Sequence, residues 1–417
     1  MKLRGLYDKA LLLFLCILLT SGCGGVSAPE AAPTNSPVVT TVTATSLNAP
    51  AVSIDRGDVN LSHLNFLVED VEIAGQPMAI THIYSEYPRY EWVDASGEGI
   101  AAVDDAARAA LVYLTDYEST SDPASLDKAR RLLNFVLYMQ ADDGQFYNFI
   151  TDRSGTINQT GNTSFKSSGW WAARAARALG AGYRVMRTVD PDYASQLDQA
   201  FQRILDVWAG EVATNYGKYD QVHGIPVPAW LISGGSDVTS IAVLALLEYD
   251  TATDGQDAAT RDVLTKLSEG LAAYQAGDHR NFPFGWHPDS ATSPFTWHAW
   301  GSTQSFALAR AGQQLSRPEW IVSAQREADA FYARLLAGRM VGEWGVLPNE
   351  FPQIAYGANS LVQGLVALHQ ATGMTPTANW LDWPRAGSTV TTRQASPCTI
   401  QPRGAASTDS WVQAAFV

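Results

Sequence analysis

The chain has 417 residues, which is enough for one large domain or two ordinary ones. Its 28 basic and 42 acidic side chains give a net charge of −14, which argues against nucleic acid and anionic membrane surfaces as partners. Thirteen tryptophans and sixteen tyrosines are many for an acidic chain, and such flat rings with polar edges suit the binding of sugar rings.

Residues 1–22 have the pattern of an export signal. Lys2 and Arg4 precede the apolar run Ala10–Leu19, which is too short to span a bilayer comfortably. The run ends in LTSGCGG, which resembles the lipobox of bacterial lipoproteins. The resemblance implies that Cys23 is lipidated and becomes the mature N-terminus, although plain secretion also fits the pattern.

Residues 23–60 are rich in Ser, Thr, Pro and Ala and show no periodicity, which predicts a flexible tether. We therefore expect an exported protein that a lipid anchor attaches to the outer face of a bacterial membrane. The other two cysteines are Cys16, inside the signal, and the solitary Cys398. The sequence thus offers neither a disulfide framework nor a cysteine metal site.

A small β-hairpin is predicted where the tether ends. Leu64–Glu72 and Met78–Ser85 alternate apolar and polar residues around a turn at 75–77. The hairpin leads into a group of aromatic residues just before the first long helix, and we expect them to contact a ligand. They are His82, Tyr84, Tyr90 and Trp92.

Helices dominate the pattern from there on, and the pattern repeats. Helix starts preceded by long aromatic loops recur at intervals of 56 to 69 residues, near Gly99, Ser168, Ser236, Gly301 and Gly357. One further helix lies between each pair. The repeating helices have Ala-rich faces, as in WWAARAARALGAGYRVM at 170–186, and small residues allow helices to pack closely around a centre. The sequence therefore predicts helical hairpins arranged in a ring.

The long connections of such a ring converge on one face, where binding sites concentrate. Each carries Trp or Tyr together with Asp, His, Asn or Gln. The aromatic candidates for stacking on sugar rings are Trp170, Trp171, Trp230, Trp286, Trp300 and Tyr356. For each tryptophan, packing in the core is an equally good interpretation. His298, which lies between Trp297 and Trp300, is the histidine most typical of a pocket.

The sequence Glu91–Leu114 carries the best catalytic candidates, Asp104 and Asp105. They follow an aromatic, Gly-containing loop at the start of an inner helix. Either they are surface acids that favour the positive end of the helix dipole, or they act as a general acid and base. The other carboxylates weighed are Glu91, Asp94, Glu98, Asp142, Asp143, Asp237 and Glu350. Asp142 and Asp143 precede a glycine and favour a turn, and Asp237 is either a helix cap or a substrate contact.

No metal or cofactor is expected. His82, His223, His287 and His298 show no ligand spacing, and the chain has no P-loop, GxSxG or dinucleotide motif.

These features together resemble the six-hairpin glycosidase, or (α/α)6-barrel, superfamily over Tyr84–Gly373, as a bacterial lipoprotein-like member. The segments that carry the resemblance are GEGIAAVDDAARAALVYL, DDGQFYNFI, SGWWAARAARALG, WHAWGSTQSFALARAG and FPQIAYGANSLVQGL. It implies an all-α (α/α)6 toroid, a carbohydrate substrate and, first, a glycoside hydrolase with carboxylate acid–base catalysis in an aromatic cleft.

Two alternatives stay open. One is a polysaccharide lyase or sugar epimerase of the same fold, with Tyr84, Tyr90 or His298 as the base that removes a proton. For an acidic sugar, the negative net charge and the few cations in the loops count against this alternative. The other is an envelope protein that binds glycans without catalysis.

The last residues break the pattern. Residues 61–378 are predicted to form the barrel, but helical periodicity stops after Asn379 and the ring is two helices short. We interpret residues 379–417 as an aberrant tail that follows a reading-frame shift near 379–380, which would leave the last hairpin incomplete.

Overall fold

The computed structural model describes residues 59–298, 301–332, 334–335, 343–344 and 355–373. The predicted signal, the tether up to residue 58, the lipidation at Cys23 and the tail 379–417 lie outside the described residues, as do Trp300, Glu350 and the side chain of Tyr356. No helix in the described part of the chain is long and apolar enough to cross a membrane.

Ten helices and ten short strands are named here, in chain order. The helices are α1 (Ser62–Leu67), α2 (Val103–Thr120), α3 (Pro123–Tyr138), α4 (Trp170–Val189), α5 (Pro191–Asn215), α6 (Ser236–Ala252), α7 (Ala258–Ala273), α8 (Gln304–Gln314), α9 (Pro318–Glu327) and α10 (Ala355–Thr372). The strands are β1 (Val68–Ile73), β2 (Gln76–Thr81), β3 (Tyr84–Glu86), β4 (Glu91–Val93), β5 (Ala101–Ala102), β6 (Phe149–Ile150), β7 (Tyr219–Val222), β8 (Ile225–Pro228), β9 (Trp297–His298) and β10 (Glu343–Trp344).

The long helices form hairpins, α2 with α3, α4 with α5, α6 with α7 and α8 with α9. The first members of these hairpins and α10 pack side by side as an inner layer. In α6 every residue except Glu248 and Thr251 is buried, as expected for an inner helix. The outer helix α5 instead buries one face, which includes Leu197, Phe201 and Trp208. The predicted ring of helical hairpins is confirmed for this part of the chain.

Small residues let the inner helices approach one another. A Cβ atom on Gly180 of α4 would lie 3.1 Å from the carbonyl oxygen of Ala245 in α6. One on Gly182 would lie 2.8 Å from the side chain of Leu133 in α3. A larger residue at either position would push neighbouring helices apart, which costs about 1–3 kcal/mol in a well-packed core.

The predicted N-terminal hairpin is present, but its first strand is shorter than the sequence indicated. β1 and β2 pair antiparallel from Val68 with Thr81 to Ile73 with Gln76. The residues before Val68 form the short helix α1 (Ser62–Leu67) instead of strand, and the Asn60 side chain accepts a hydrogen bond from the Ser62 amide at 2.9 Å just before it.

Candidate active site

The starts of four inner helices meet at one end of the helical layer. Side chains from the first turns of α2 and α4 contact each other, and a residue of β9 contacts both α4 and α6. The long loops that precede these helices end here, as expected for a ring of hairpins. One continuous row of side chains crosses this end, and we call it the row. Its members are Asp104, Asp105, Arg108, Arg174, Trp170, His298, Asp237 and Asp289.

Asp104 and Asp105, in the first turn of α2, form an ion-paired cluster. The Asp104 carboxylate accepts a hydrogen bond from Arg174 Nη1 of α4 and lies 3.3 Å from Nε of Arg108. Asp105 pairs with the other end of the Arg108 guanidinium. The side chain of Asn148, in the loop before α4, accepts a hydrogen bond from the Asp104 amide at 3.4 Å. Each carboxylate keeps about a fifth of its surface exposed, at 20% and 22%.

The two carboxyl groups differ in their affinity for a proton. Burial would raise the pKa of Asp104, but the positive charges of Arg174 and Arg108 outweigh it and hold this pKa below its usual value. Burial raises the pKa of Asp105 to about 6, and the neighbouring Asp104 charge adds to the rise, while Arg108 opposes it. At neutral pH Asp104 is therefore ionised, and Asp105 releases its proton only near pH 6.

Trp170 links this cluster to the next. The Arg174 guanidinium lies 5.0 Å from the centre of the Trp170 ring, and that ring lies 6.4 Å from the ring of His298. Gly301 fits against both rings. A Cβ atom there would stand 2.4 Å from the Trp170 ring and 2.7 Å from the His298 ring. Only a glycine can occupy this position without displacing one of the two rings.

Asp237, Asp289 and His298 form the other end of the row. His298 Nε2 donates a hydrogen bond to Asp237 Oδ2 at 3.1 Å and lies 3.6 Å from Asp289 Oδ2. The buried Asp289 carboxylate also accepts hydrogen bonds from Ser302 Oγ at 2.7 Å and from Gln304 Nε2 at 3.0 Å. Its backbone carbonyl accepts one from the amide of Ser236, the first residue of α6.

The pKa of Asp289 is raised to about 7. Burial is the main cause and the nearby Asp237 charge adds to it, while His298, Ser302 and Gln304 favour the ionised form. The groups of Asp237, Asp289 and His298 lie within 4.8 Å of one another, so they could pass a proton or ligate a cation. The hydrogen bonds that Asp289 already accepts favour proton transfer over ligation. Sequence spacing missed this cluster, because Asp237 and His298 are 61 positions apart.

Solved structures provide the comparison, because no family model and no curated protein matches the sequence. A sugar epimerase from a ruminal bacterium matches at TM-score 0.53 and 15% identity, over 72% of this chain and 79% of its own. A cellobiose 2-epimerase from Spirochaeta thermophila gives 0.49 and 14%, over 67% and 71%. An α-mannanase from Bacteroides thetaiotaomicron gives 0.45 and 13%, over 70% and 74%.

The chain has the six-hairpin glycosidase fold. The match to the sugar epimerase exceeds a TM-score of 0.5 over most of both chains, and it confirms the (α/α)6 fold that the sequence motifs implied. At such identities the similarity concerns the fold alone, and the chemistry must be argued from the side chains.

In this six-hairpin fold, several predicted ligand contacts lie in the core. Trp171, Trp230 and Trp286 are buried. The first two donate their indole hydrogens to the carbonyl oxygens of Phe146 and Lys266. Because buried rings present no open face to a sugar, we leave all three out of the proposed site.

The predicted contacts before α2 form a separate cluster. His82 is buried, donates a hydrogen bond from Nε2 to Glu69 Oε2 at 2.8 Å, and stacks on Trp92 with ring centres 3.7 Å apart. Tyr84 and Tyr90 are exposed. Within the described residues, we find no hydrogen bond, ion pair or ring contact between these four side chains and the row, and their role in binding stays a prediction.

A second cluster contains Ser, His and Glu like a hydrolytic triad, but its hydrogen bonds run in a different direction. His287 and Glu327 are fully buried and paired, and His287 Nε2 lies 3.0 Å from Ser323 Oγ. The Gln275 side chain donates to the carbonyls of Gly285 and Ser323, so its oxygen must accept the Ser323 hydroxyl hydrogen at 2.9 Å. Ser323 therefore accepts from His287 and cannot be activated by it.

That network lies beside a cleft of about 350 Å³ between the outer helices α7 and α9, away from the row. It fixes residues 285–287 to these helices, just before Asp289. We therefore interpret it as support for the loop that carries Asp289 and His298.

Proposed function

We propose that this protein is a carbohydrate-active enzyme outside the cytoplasm, and that it is a glycoside hydrolase. One observation carries the proposal. Asp104 and Asp105 lie side by side, and their pKa values are shifted in opposite directions. Arg174 lies between Asp104 and the aromatic ring of Trp170. Two carboxyl groups whose environments separate their pKa values are what acid–base cleavage of a glycosidic bond requires.

The roles follow from the charges. Asp105 keeps its proton up to about pH 6 and donates it to the oxygen of the leaving sugar. Arg174 and Arg108 hold Asp104 in the ionised form, and this carboxylate acts on the sugar that loses the leaving group, as the base or the nucleophile. Trp170 stacks on a sugar ring and places the bond near the two carboxyl groups.

The first experiment is a mass-spectrometric survey of the purified protein with plant and bacterial glycans. Shorter, saturated products are expected. Unsaturated products would identify a lyase, and retention of a glycan without any product would leave a binding protein.

Substitution of the carboxylates then tests the roles. Asp105→Asn should lower kcat about 10²–10⁴-fold, the usual contribution of a general acid. Asp192→Asn is the matched control, because Asp192 also lies in the first turn of a helix, the outer helix α5, but is exposed. It should leave kcat unchanged. Because Asp105 must be protonated, kcat/KM of the unaltered enzyme should fall as the pH rises through about 6. Full activity of Asp105→Asn would contradict the assignment.

A second candidate, sugar epimerisation, rests on the His298–Asp237 pair beside Trp170. A histidine oriented by a carboxylate can remove a proton next to a sugar carbonyl group. The fold shared with a sugar epimerase is compatible with this chemistry. Incubation in D₂O distinguishes the two, since an epimerase introduces deuterium into the sugar without shortening it and a hydrolase releases new reducing ends.

We also propose that the chain is anchored to the membrane through Cys23, on the basis of the LTSGCGG sequence. Mass spectrometry of the mature N-terminal peptide should find a lipid on Cys23. Cys23→Ala should move the protein from the membrane fraction to the soluble fraction, and an unmodified Cys23 would refute the anchor.

A further inference from the structure

The inner helices carry a group of charged side chains that extends from the row towards the C-terminal end of α4. Arg174, Arg177 and Arg184 follow one another along α4 at spacings of three and seven residues, which places them on one side of the helix. Arg310 approaches from α8, and Glu248 comes from α6. These residues are on helices and not in loops, so a search of the loops for cations does not find them.

Among the described residues, every arginine of this group except Arg177 forms an ion pair with an acidic side chain. Arg174 pairs with Asp104. Arg310 lies 2.9 Å from one oxygen of Glu248, and Arg184 lies 3.5 Å from the other. Arg184 also pairs with Glu118 of α2. The acidic groups of this region, Asp104, Glu118 and Glu248, are therefore already paired with other arginines.

Arg177 has neither a hydrogen bond nor an ion pair with any residue that the structure describes. Its Nε atom is sealed from solvent, and its guanidinium carbon lies 5.7 Å from the centre of the Phe306 ring. The same ring lies 5.9 Å from the guanidinium of Arg310. A cation–π contact offsets only part of the cost of burying a charge, so Phe306 does not account for an arginine here.

The surroundings make this position unfavourable for a cation. Burial lowers the pKa of Arg177 to about 10. Glu248 opposes this effect, and the charges of Arg310 and Arg174 add to it. Arg177 nevertheless stays charged at neutral pH. Glu248 attracts this charge from a distance, but no described acidic group forms an ion pair with it, so a negatively charged ligand group would complete the site.

We infer that Arg177 binds a negatively charged group of the sugar, so that the substrate class is an anionic carbohydrate. The inference rests on the proposed function for the place of the sugar at Trp170. Arg177 lies seven residues after Trp170 on α4, which is about 10 Å along the helix axis. Side chains on a helix lean towards its N-terminus, so the guanidinium reaches back towards the row. Its planar fork fits a carboxylate or sulfate group with two parallel hydrogen bonds.

The test measures binding without turnover. Calorimetry in the Asp105→Asn background compares an oligouronate with the neutral oligosaccharide of the same length and linkage, and a sulfated analogue distinguishes the source of the charge. The oligouronate or the sulfated sugar should bind at least 10-fold more tightly than the neutral one. Arg177→Met should remove this preference and leave the neutral sugar's Kd unchanged. Arg187→Met, on the same helix but 41% exposed, is the matched control and should keep the preference.

A stability measurement separates this role from a structural one. If Arg177 serves a ligand, Arg177→Met should have the same Tm or a higher one, because it removes a partly buried charge that forms no ion pair with the described residues. A lower Tm, or an equal preference in Arg177→Met and the unaltered chain, would overturn the inference. A protein that cleaves neutral glycans and ignores anionic ones would retain the proposed function but refute this substrate class. An oligouronate bound through Arg177 but not cleaved would support this substrate class and refute the proposed hydrolase activity.

Discussion

The outer helices and the inner helices begin in different ways. Three outer helices, α3, α5 and α7, are capped by the residue directly before them, Asp122, Asp190 and Asp257, whose side chains accept amide hydrogens of the first turn. The fourth, α9, starts at Pro318, another local signal, and has no side-chain cap among the described residues. Within the described residues, α2, α4, α6 and α8 have no such side-chain cap.

Two of the inner starts are capped from far along the chain. Asn148 accepts the amides of Val103 and Asp104 at the start of α2. The carbonyl of Asp289 accepts the amide of Ser236 at 2.7 Å at the start of α6. The outer starts therefore depend on local sequence, whereas these inner starts depend on the loops that form the site.

The largest effect should come from breaking the support of one such loop. Glu327→Ala leaves His287 buried without its acidic partner and should lower the free energy of unfolding by about 3–5 kcal/mol. Glu319→Ala, on the same helix but in an exposed ion pair with Arg317, should cost less than about 1 kcal/mol. Urea denaturation measures both, and equal costs would show that the loop does not need the buried pair.

A rise in pH should lower the free energy of unfolding through the titration of Asp289. The folded protein keeps the Asp289 proton up to about pH 7, whereas an unfolded aspartate releases it near pH 4. Between these values the folded state binds more protons, so this group makes the free energy of unfolding fall as the pH rises, by at most about 1.4 kcal/mol per pH unit. Denaturation from pH 4 to 7 should show a smaller fall in Asp289→Asn than in the unaltered chain. Identical pH dependence would mean that Asp289 titrates normally.

The smallest effects should separate the two kinds of cap. Asp257→Ala should cost about 1 kcal/mol of stability and leave kcat/KM unchanged, because α7 lies outside the site. Asn148→Ala removes a buried side chain that also donates to the Thr163 carbonyl at 3.0 Å, and should cost about 1–3 kcal/mol and lower kcat/KM as well. A catalytic loss in Asp257→Ala, or none in Asn148→Ala, would contradict the distinction.

The same contrast explains what the sequence could predict. The starts of the outer helices α3, α5 and α7 can be located from the sequence, because Asp-Pro or Asp alone marks the cap locally, as at 122–123 and 190–191. The inner starts were placed from the Ala-rich faces and the repeat interval. The period of the pattern is a property of each helix, so the fold followed from it.

The site depended on contacts that no local pattern encodes. Asp104 and Asp105 could be singled out from their place after an aromatic loop, and their catalytic role stays a prediction. The contact of His298 with Asp237 joins residues 61 positions apart. The tryptophans could not be sorted into core and surface, because aromatic residues suit both. Arg177 was missed because only the packing of α4 against α6 and α8 shows that no acidic side chain in the described part of the chain forms an ion pair with it.

Capping by distant loops also gives the protein a built-in reporter. The Ser236 amide can exchange its hydrogen with solvent only when it separates from the Asp289 carbonyl, that is, when the loop leaves the start of α6. Exchange at this amide therefore follows the opening of the site, while the amides that Asp257 caps on α7 follow only the fraying of a surface helix. Ligand arrival can thus be followed at a single backbone position without a label on the sugar.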